Sequence, residues 1–367
     1  MLKKIGQSIL IILAIILLVA TVLSTLPLNQ WWSRVFDFPR IQIVGLAFLV
    51  LLLYGVFFRF KPRVNWVIYG AMLGVMVYQS IQVYHYTPLA KPQTVLVQER
   101  DTTTLVSMLM ANVLMTNRHS ETLLELVRQK NPDLVLLMET DTWWQQQMEP
   151  LEKEYAHRVL RPLDNTYGML FYSRLPLHQT EVRYLLNDSI PSIHTYVTLP
   201  SGQSVKLYCL HPRPPVPGHS KTSTERDAEL LLVGQMVKER KEPAILAGDL
   251  NDVAWSPTSN LFRKTSQMLD PRVGRGFYNT FHAQYSLLRW PLDHVFHTDH
   301  FQLEALQVLP NIGSDHFPAY FSLSFQPGEE WQQNEPKLAS PEEEEKAEET
   351  IEKGFEEKQE EERKPNS

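Results

Sequence analysis

Cysteine is nearly absent from this 367-residue chain, where Cys209 stands alone. A single thiol excludes an intramolecular disulfide framework and a cysteine-built zinc site. Its position inside an apolar run reads as a small buried core residue rather than a nucleophile. There is no G-x-G-x-x-G, no P-loop and no internal repeat, so the glycine-rich phosphate cradles of nucleotide-binding folds are missing. Charge is the next scarcity. Residues 6–26, 41–58 and 64–83 contain no Lys, Arg, Asp or Glu, and each is close to the roughly 20 apolar residues that cross a bilayer core as a helix.

Three compositional parts follow: an apolar 1–86, a globular 87–326 and an acidic, low-complexity 327–367. The first apolar run is longer than a signal-peptide core and lacks an A-x-A-like cleavage site, so it reads as an anchor. Trp31, Trp32, Trp66, Tyr84 and Tyr86 sit near the ends of the runs, as interfacial aromatics do. Lys3 and Lys4 precede the first run, and Arg59, Lys61 and Arg63 crowd the second loop; the first loop has Arg34 and Arg40 but also Asp37. The positive-inside rule then puts the amino terminus and second loop in the cytoplasm. The expectation is a multi-pass cell-membrane protein whose globular part lies on the extracytoplasmic (periplasmic or extracellular) side, with the lipid bilayer as a partner. The overall charge of −6 hides an asymmetry, because from Gln326 onward there are fifteen Glu against six Lys or Arg and the rest is net basic. Net charge therefore argues neither for nor against nucleic acid.

Within 87–326, short apolar runs alternate with polar turns. Strands are expected at Leu105–Met110, Leu134–Met138, Met169–Tyr172, Val205–Leu210, Ala244–Ala247, Leu292–Phe296 and Ala319–Phe325. A helix is expected at Ser120–Lys130, capped by Ser120, and another opening on a T-x-x-E box from Thr222 to Glu225. Many strands with few helices indicate an α/β layered fold, two packed sheets with helices outside.

The chemistry begins at Ala244–Asp252. A short apolar strand is broken by Gly248, and Asp249 and Asn251 follow one residue apart. In an extended segment they share a face, so a carboxylate that can take a proton from water stands beside an amide that can donate to an oxyanion. A Gly-Asp turn closed by Asn is also ordinary loop chemistry. The same placement recurs, however: Asn112, Glu139, His211 and His316 also lie at strand ends, and Asp293 and Asp315 stand beside two of these motifs.

In this motif order the chain resembles the endonuclease/exonuclease/phosphatase superfamily, relatives of pancreatic-type deoxyribonuclease, over about Leu105–Phe325. It looks like a membrane-anchored, bacterial-type member. The resemblance implies a four-layer α/β sandwich, two packed, mainly antiparallel sheets flanked by helices, here preceded by transmembrane helices. It also implies metal-dependent hydrolysis of phosphoester bonds. By position, Glu139 is similar to the divalent-metal ligand, with Asn112 beside it contacting metal or phosphate and Asp315 an accessory metal or water ligand. Asp249 matches the residue that activates water and Asn251 the one that holds a phosphate oxygen. His316 resembles the catalytic histidine, Asp293 its orienting carboxylate, and His211 the catalytic-site histidine of nuclease-like and sphingomyelinase-like members. Oxygen donors suit Mg²⁺, with Mn²⁺ or Ca²⁺ as alternatives. The chain departs from the pattern at Leu114, where many members carry a second polar ligand, so one metal is expected. His294 and His297, which flank the Asp293 motif, read as surface or packing residues.

Nucleic acid and phospholipid remain close competitors as substrates, with a nuclease-like diesterase ahead of a phospholipid or sphingomyelin phosphodiesterase or a phosphatase. An inactive, membrane-tethered binding module is the non-enzyme alternative. Arg213, His219, Lys221, Arg272 and Arg275 are loop cations that can meet phosphates, and Trp143, Trp144 and Trp255 can stack on a base, contact lipid or pack. The 327–367 tail is expected to be disordered, because it has too few apolar residues to offset ordering. A solvated helix over 341–362 is the other reading.

Overall fold

The structure, a computed structural model, describes residues 2–58, 63–328 and 333–363. The chain opens with α1 (Leu2–Leu23), the single-turn α2 (Trp31–Arg34), α3 (Arg40–Phe58) and α4 (Arg63–Val83). Three of these, α1, α3 and α4, are long and apolar enough to cross a membrane, and they match the expected runs within a few residues. They pack on one another through Leu17, Ala47, Val50, Tyr54 and Met72. Their outer faces expose Ile9, Ile12, Phe48, Leu52, Val67 and Leu73. A contiguous apolar exterior of that kind is unusual for a face left in water. Arg59 and Lys61, on which the expected orientation rests, lie outside the described residues.

The remainder folds as β1 (Leu105–Asn112), α5 (Ser120–Lys130), β2 (Leu134–Met138), α6 (Thr142–Gln147), β3 (His157–Arg161), β4 (Met169–Ser173), β5 (Leu177–Arg183), β6 (Ser192–Thr198), β7 (Ser204–Cys209), α7 (Thr224–Arg240), β8 (Ala244–Asp249), α8 (Pro257–Ser266), β9 (Asp293–His297), β10 (Phe301–Val308), β11 (Ala319–Phe325) and α9 (Pro341–Arg363). One sheet has the order β10-β11-β1-β2-β4-β3 and the other β5-β6-β7-β8-β9. Each has one parallel pair, β1 with β2 and β7 with β8, among antiparallel neighbours. Met108, Met110, Leu136 and Phe171 of the first sheet meet Ile193, Leu207, Ile245 and Val295 of the second in the central core. Helices α5 and α6 cover the outer face of the first sheet, and α7 and α8 that of the second. This is the expected sandwich, and Cys209 lies buried within its core.

Three local expectations need correction. Ser120 does not cap α5: it is the first helical residue, with His119 before it and no side-chain cap. The T-x-x-E box does not form: α7 begins at Thr224, Ser223 Oγ bonds Asp227 Oδ2 at 2.7 Å, and Thr222 Oγ1 reaches Glu357 at 3.2 Å instead. The acidic tail is not a solvated coil over 341–363 but the helix α9, laid on α7 and α8. Ala347, Ile351 and Gly354 fall at i, i+4 and i+7, one face of a helix. Ala347 and Ile351 join Leu230, Val233 and Phe262 in the core beneath. Gly354 lies so close to α7 that a Cβ there would be 2.4 Å from Ala228 Cβ. Average composition hid this short apolar stripe among the glutamates.

The apolar helices and the sandwich share a seam. Trp31 N donates to Lys221 O at 3.0 Å and Ser223 N to Asn29 O at 2.7 Å. Trp255 Nε1 donates to Asp37 O and Tyr86 Oη to Ala254 O, each at 2.7 Å. Val83, Tyr86, Val253, Trp255 and Leu292 form one apolar cluster across it. The expected division at residue 86 is thus a change of composition, not a break in packing. Trp255, considered as a stacking platform, is buried in this seam. Arg34 and Arg40 are buried there as well, at 3.6 and 2.6 Å from Asp37.

Candidate active site

Strand direction gathers the polar residues at one end of the sandwich. Asn112 closes β1, Glu139 follows β2, His211 lies just past β7, Asp249 closes β8 and Asp293 opens the antiparallel β9. Asp249 and Asp293 are direct register partners, and like charges so placed repel. His316 lies beside both. Its Nδ1 is 2.8 Å from Asp293 Oδ2 and its Nε2 3.5 Å from Asp249 Oδ2. Asn112 Nδ2 donates to Glu139 Oε1 at 2.8 Å and to Asp249 Oδ2 at 3.0 Å, tying the two sheets together. His211 Nε2 stands 3.9 Å from the same Asp249 oxygen.

The backbone is bent to achieve this. Gly248 has φ +147°, and a Cβ on it would fall 1.9 Å from Leu210 O, so only glycine lets β8 pass this close to the chain leaving β7. Glu139 and Asn251 hold φ of 58° and 51°, left-handed values that non-glycine residues seldom adopt and that cluster at functional sites. Asn251 N donates to Asp249 Oδ1 at 2.9 Å and its side-chain amide to Pro212 O at 3.0 Å.

Burial sets the electrostatics. For His316, burial opposes charge, but the Asp293 and Asp249 carboxylates more than offset it and push the imidazolium up to about 10. Burial raises Asp249 to about 7 against the pull of His316. It also raises Glu139 against the Asn112 hydrogen bond. Burial pushes Asp293 up most, but the charge and hydrogen bond of His316 together with its other polar neighbours hold it below the usual range. His211, buried and beside the His316 cation, falls to about 3 and is neutral. The site therefore pairs a fixed imidazolium with a carboxylate poised near neutrality, the separation that acid–base chemistry uses.

The expected residues are not all arranged alike. Asp249, Asp293 and His316 place donor atoms within 4.8 Å of one another, close enough to share a metal ion. Asn112 turns its donor end to the carboxylates, while its Oδ1 accepts from Leu114 N at 3.1 Å. Asp315 is half-buried, with Oδ1 3.3 Å from Ser314 Oγ. Of the loop cations, Arg272 is buried on Asp270 at 2.8 Å and Arg275 donates to Thr94 O and Pro271 O, so both are structural. His294 and His297 are buried packing residues. Arg213 pairs with Glu225 at 3.3 Å, and the exposed His219 bonds Tyr167 Oη at 2.8 Å.

Sequence reading passed over several supports. Ser314 Oγ donates to Asn112 O at 2.8 Å and accepts from His316 N at 3.0 Å. Thr280 Oγ1 accepts from Asp293 N at 3.2 Å. Arg226 Nη1 donates to Asn251 O at 2.7 Å. Phe281 lies with its ring 4.9 Å from that of His316. Only Ser314 carried a signal, its adjacency to Asp315 and His316.

A search of curated proteins finds no match. Among solved structures, a D. rerio TDP2 humanized by 14 mutations superposes with a TM-score of 0.50 at 18% identity, over 60% of this chain and 99% of that one. An endonuclease/exonuclease/phosphatase from Beutenbergia cavernae gives 0.49 at 20%, over 61% and 72%. A sphingomyelinase C from Streptomyces griseocarneus gives 0.46 at 14%, over 59% and 99%. Likeness at such identities concerns the fold. The family model described as Endonuclease/Exonuclease/phosphatase family matches residues 111–316, more than half of the chain and the whole span from Asn112 to His316. The sandwich agrees with the match, and the chain belongs to the endonuclease/exonuclease/phosphatase family.

Proposed function

We propose that this protein is a membrane-anchored, divalent-metal-dependent phosphoesterase that hydrolyses phosphodiester bonds, its sandwich held on the extracytoplasmic face. The carrying observation is the chain Asp293–His316–Asp249–Asn112–Glu139, which links an imidazolium, a poised carboxylate and a second buried carboxylate through contacts of 2.8, 3.5, 3.0 and 2.8 Å.

The residues fit a hard divalent cation such as Mg²⁺. Burial raises both Glu139 and Asp249, which marks negative charge short of compensation, and Asp293 Oδ1 is buried without a hydrogen-bond partner. His316, held as a cation, is a poor ligand. Glu139 is the preferred ligand, with Asp315 and the Asn112 oxygen completing the set after rotation of that amide. Such an ion polarises a phosphoryl oxygen and offsets developing charge. The chain's own groups do the rest. Asp249 accepts the proton of the attacking water. Asn251 directs its remaining amide proton at a phosphate oxygen. His316, aligned by Asp293 with its tautomer fixed, protonates the leaving oxygen. Neutral His211 is placed to donate a hydrogen bond to the phosphate.

For orientation, the first loop, the end of α4 and the sandwich meet at one end of the helix trio, and three crossings set that end opposite the amino terminus. The basic residues then favour the extracytoplasmic side; a reporter fused after Ser367 that is active only in the cytoplasm would overturn this.

The test of chemistry uses the full chain in lipid nanodiscs with Mg²⁺, beside Glu139→Ala and His316→Ala. DNA, RNA, a phosphomonoester and phospholipid are offered in parallel. Metal-dependent cleavage that both variants lose supports the reading. Full turnover in both variants sinks the site, and silence on all four substrates from folded protein favours a binding module.

A further inference from the structure

One wall of the site is a hairpin that reaches back to the anchor. Phe281 pairs with Trp290, as an isolated bridge, and also with His316. Thr280 N donates to Trp290 O at 3.1 Å, His282 N to Leu288 O at 3.1 Å, and Leu288 N to Tyr285 O at 3.1 Å. The hairpin base is fastened to the catalytic segment: Ala283 N donates to Asp315 O at 2.6 Å and Phe317 N to Thr280 O at 2.8 Å.

The tip is apolar and bare. Tyr285, Leu287 and Leu288 are 57, 82 and 47% exposed, and residues 281–292 include no Asp or Glu. A soluble surface gains nothing by presenting two adjacent leucines beside a catalytic histidine. What stands next to them explains it. Gln42 Nε2, in the first turn of α3, donates to Leu287 O at 2.9 Å, and Trp290 packs on Phe38 with ring centroids 5.7 Å apart. Gln42 lies only two residues inside the span Arg40–Phe57, about 3 Å along a helix axis. One to three turns further on, Leu46, Phe48, Leu49 and Leu52 are also exposed, as lipid-facing residues are. The tip is therefore at the depth where α3 leaves the headgroup layer. A second bare residue, Leu89, 82% exposed, follows the end of α4, where Tyr84 Oη holds its carbonyl at 3.1 Å.

We propose that the 281–290 hairpin dips into the bilayer beside the site, and that the substrate is a phosphodiester carried by a membrane lipid. This rests on the phosphoesterase and anchoring reading above and narrows its substrate class. A headgroup phosphate at the bilayer surface lies at the height of the hairpin base, where Phe281 touches His316, so a lipid reaches the site without leaving its leaflet. Water adds to phosphorus and gives its proton to Asp249. The bond from phosphorus to one ester oxygen breaks as His316 supplies a proton, and the products are a phosphomonoester and an alcohol, one of them still lipid-borne.

The experiment uses the full chain in phosphatidylcholine–phosphatidylglycerol vesicles. Cys209 is buried, so an environment-sensitive thiol probe can be placed through Leu287→Cys, with Thr102→Cys as control at the far end of β1. Lipid-borne quenchers should quench the probe at 287 and leave that at 102 bright. In parallel, Leu287→Ser/Leu288→Ser should lower cleavage of vesicle phospholipid at least tenfold while changing cleavage of a small water-soluble aryl phosphodiester less than twofold. An unquenched probe, equal losses on both substrates, or cleavage of DNA or RNA with no cleavage of lipid would each overturn the proposal. Quenching at 287 with no hydrolysis of any phosphoester, soluble diester included, would instead trace the failure to the phosphoesterase reading.

Discussion

The cluster around His316 and the cluster around Arg226 both bury alternating charges, and the neighbours Asn251 and Asp252 belong one to each. In the seam, all three Arg226 guanidinium nitrogens are engaged. Nε and Nη2 reach Asp227 at 3.0 and 2.7 Å, Nη2 also lies 3.3 Å from Asp252, and Nη1 donates to Asn251 O at 2.7 Å. Arginine stays charged at any relevant pH and offers a planar fork, so the cation of this cluster has one state, although burial raises Asp252 to about 6 against the pull of Arg226. The site is built differently. Its cation is a histidine, Asp249 is raised by burial to about 7, and His211 Nδ1 and Asp293 Oδ1 have no hydrogen-bond partner. The same ingredients, buried Asp and a cation, thus serve rigidity in one place and, on the proposed reading, proton movement in the other. Arg226 joins them by holding the carbonyl of Asn251.

The sharpest way to break that contrast is to remove the titratable cation. His316→Ala should cut turnover per folded molecule about 10²–10⁴-fold, whatever it costs in stability, since the buried imidazole also pairs with Asp293 and Asp249. A large loss of stability with activity retained per folded molecule would mean that His316 belongs with the structural charges. Removing the fixed cation should act first on stability. Arg226→Met leaves Asp227 and Asp252 buried without their partner, a change that costs about 3–5 kcal/mol, read by denaturant unfolding of the full chain in detergent. Activity should fall too, through the loosened Asn251 carbonyl, and Arg226→Lys should recover little because a point charge cannot make the fork. Wild-type stability in either variant would refute the role given to the seam.

How much of this was legible beforehand follows the same division. The site could be read because its residues terminate strands that are buried on both faces, and such strands announce themselves as unbroken apolar runs, as in Leu134–Met138 and Ala244–Ala247. Strands β3, β5 and β10 were not found because they are sheet edges, where sequences such as Leu177–Arg183 alternate too weakly to stand out. Strand β6 was hidden by the polar Ser, His and Thr of Ser192–Thr198. The seam was illegible for another reason. Arg34, Asp37 and Arg40 lie close together in the first loop and Arg226 far from them in sequence, and each alone reads as solvated. The first three even entered the charge-asymmetry argument for orientation, although the structure uses them inside the protein. In the tail, three small or apolar residues among many glutamates decided the outcome.

Glu229 sharpens the comparison from a third side, as a buried acid belonging to neither cluster. It is 2% exposed, its Oε1 has no hydrogen-bond partner, and burial followed by the neighbouring Glu225 raises it to about 8. A carboxyl raised in the folded state holds its proton there after the unfolded chain has lost it. Its stabilising contribution is fully present below the unfolded value near 4.5 and is lost as pH rises through about 8. Across that window the slope reaches at most about 1.4 kcal/mol per pH unit. Glu229→Gln should therefore match wild type near pH 5 and be the more stable protein near pH 9. Parallel stability curves for the two proteins across this range would show that Glu229 is ionised in the fold.

The smallest effect is expected at the surface of α9, where charge is most plentiful. Lys264 Nζ lies 2.5 Å from Glu343 and Lys238 Nζ 2.6 Å from Glu344, both among half-exposed or exposed side chains. Solvent screens such pairs and ordering long side chains opposes them, so Lys264→Ala should cost less than about 1 kcal/mol. Ile351→Ala, on the buried stripe of the same helix, should cost about 2–5 kcal/mol. The comparison is a strict one, because both substitutions remove a contact that holds α9, one from α8 and one from α9 itself. If Lys264→Ala cost more than Ile351→Ala, the tail would be held by its charges, and added salt should then release α9. If the order is as expected, the helix is held by Ala347, Ile351 and the close approach at Gly354, and its glutamates keep the outer face soluble.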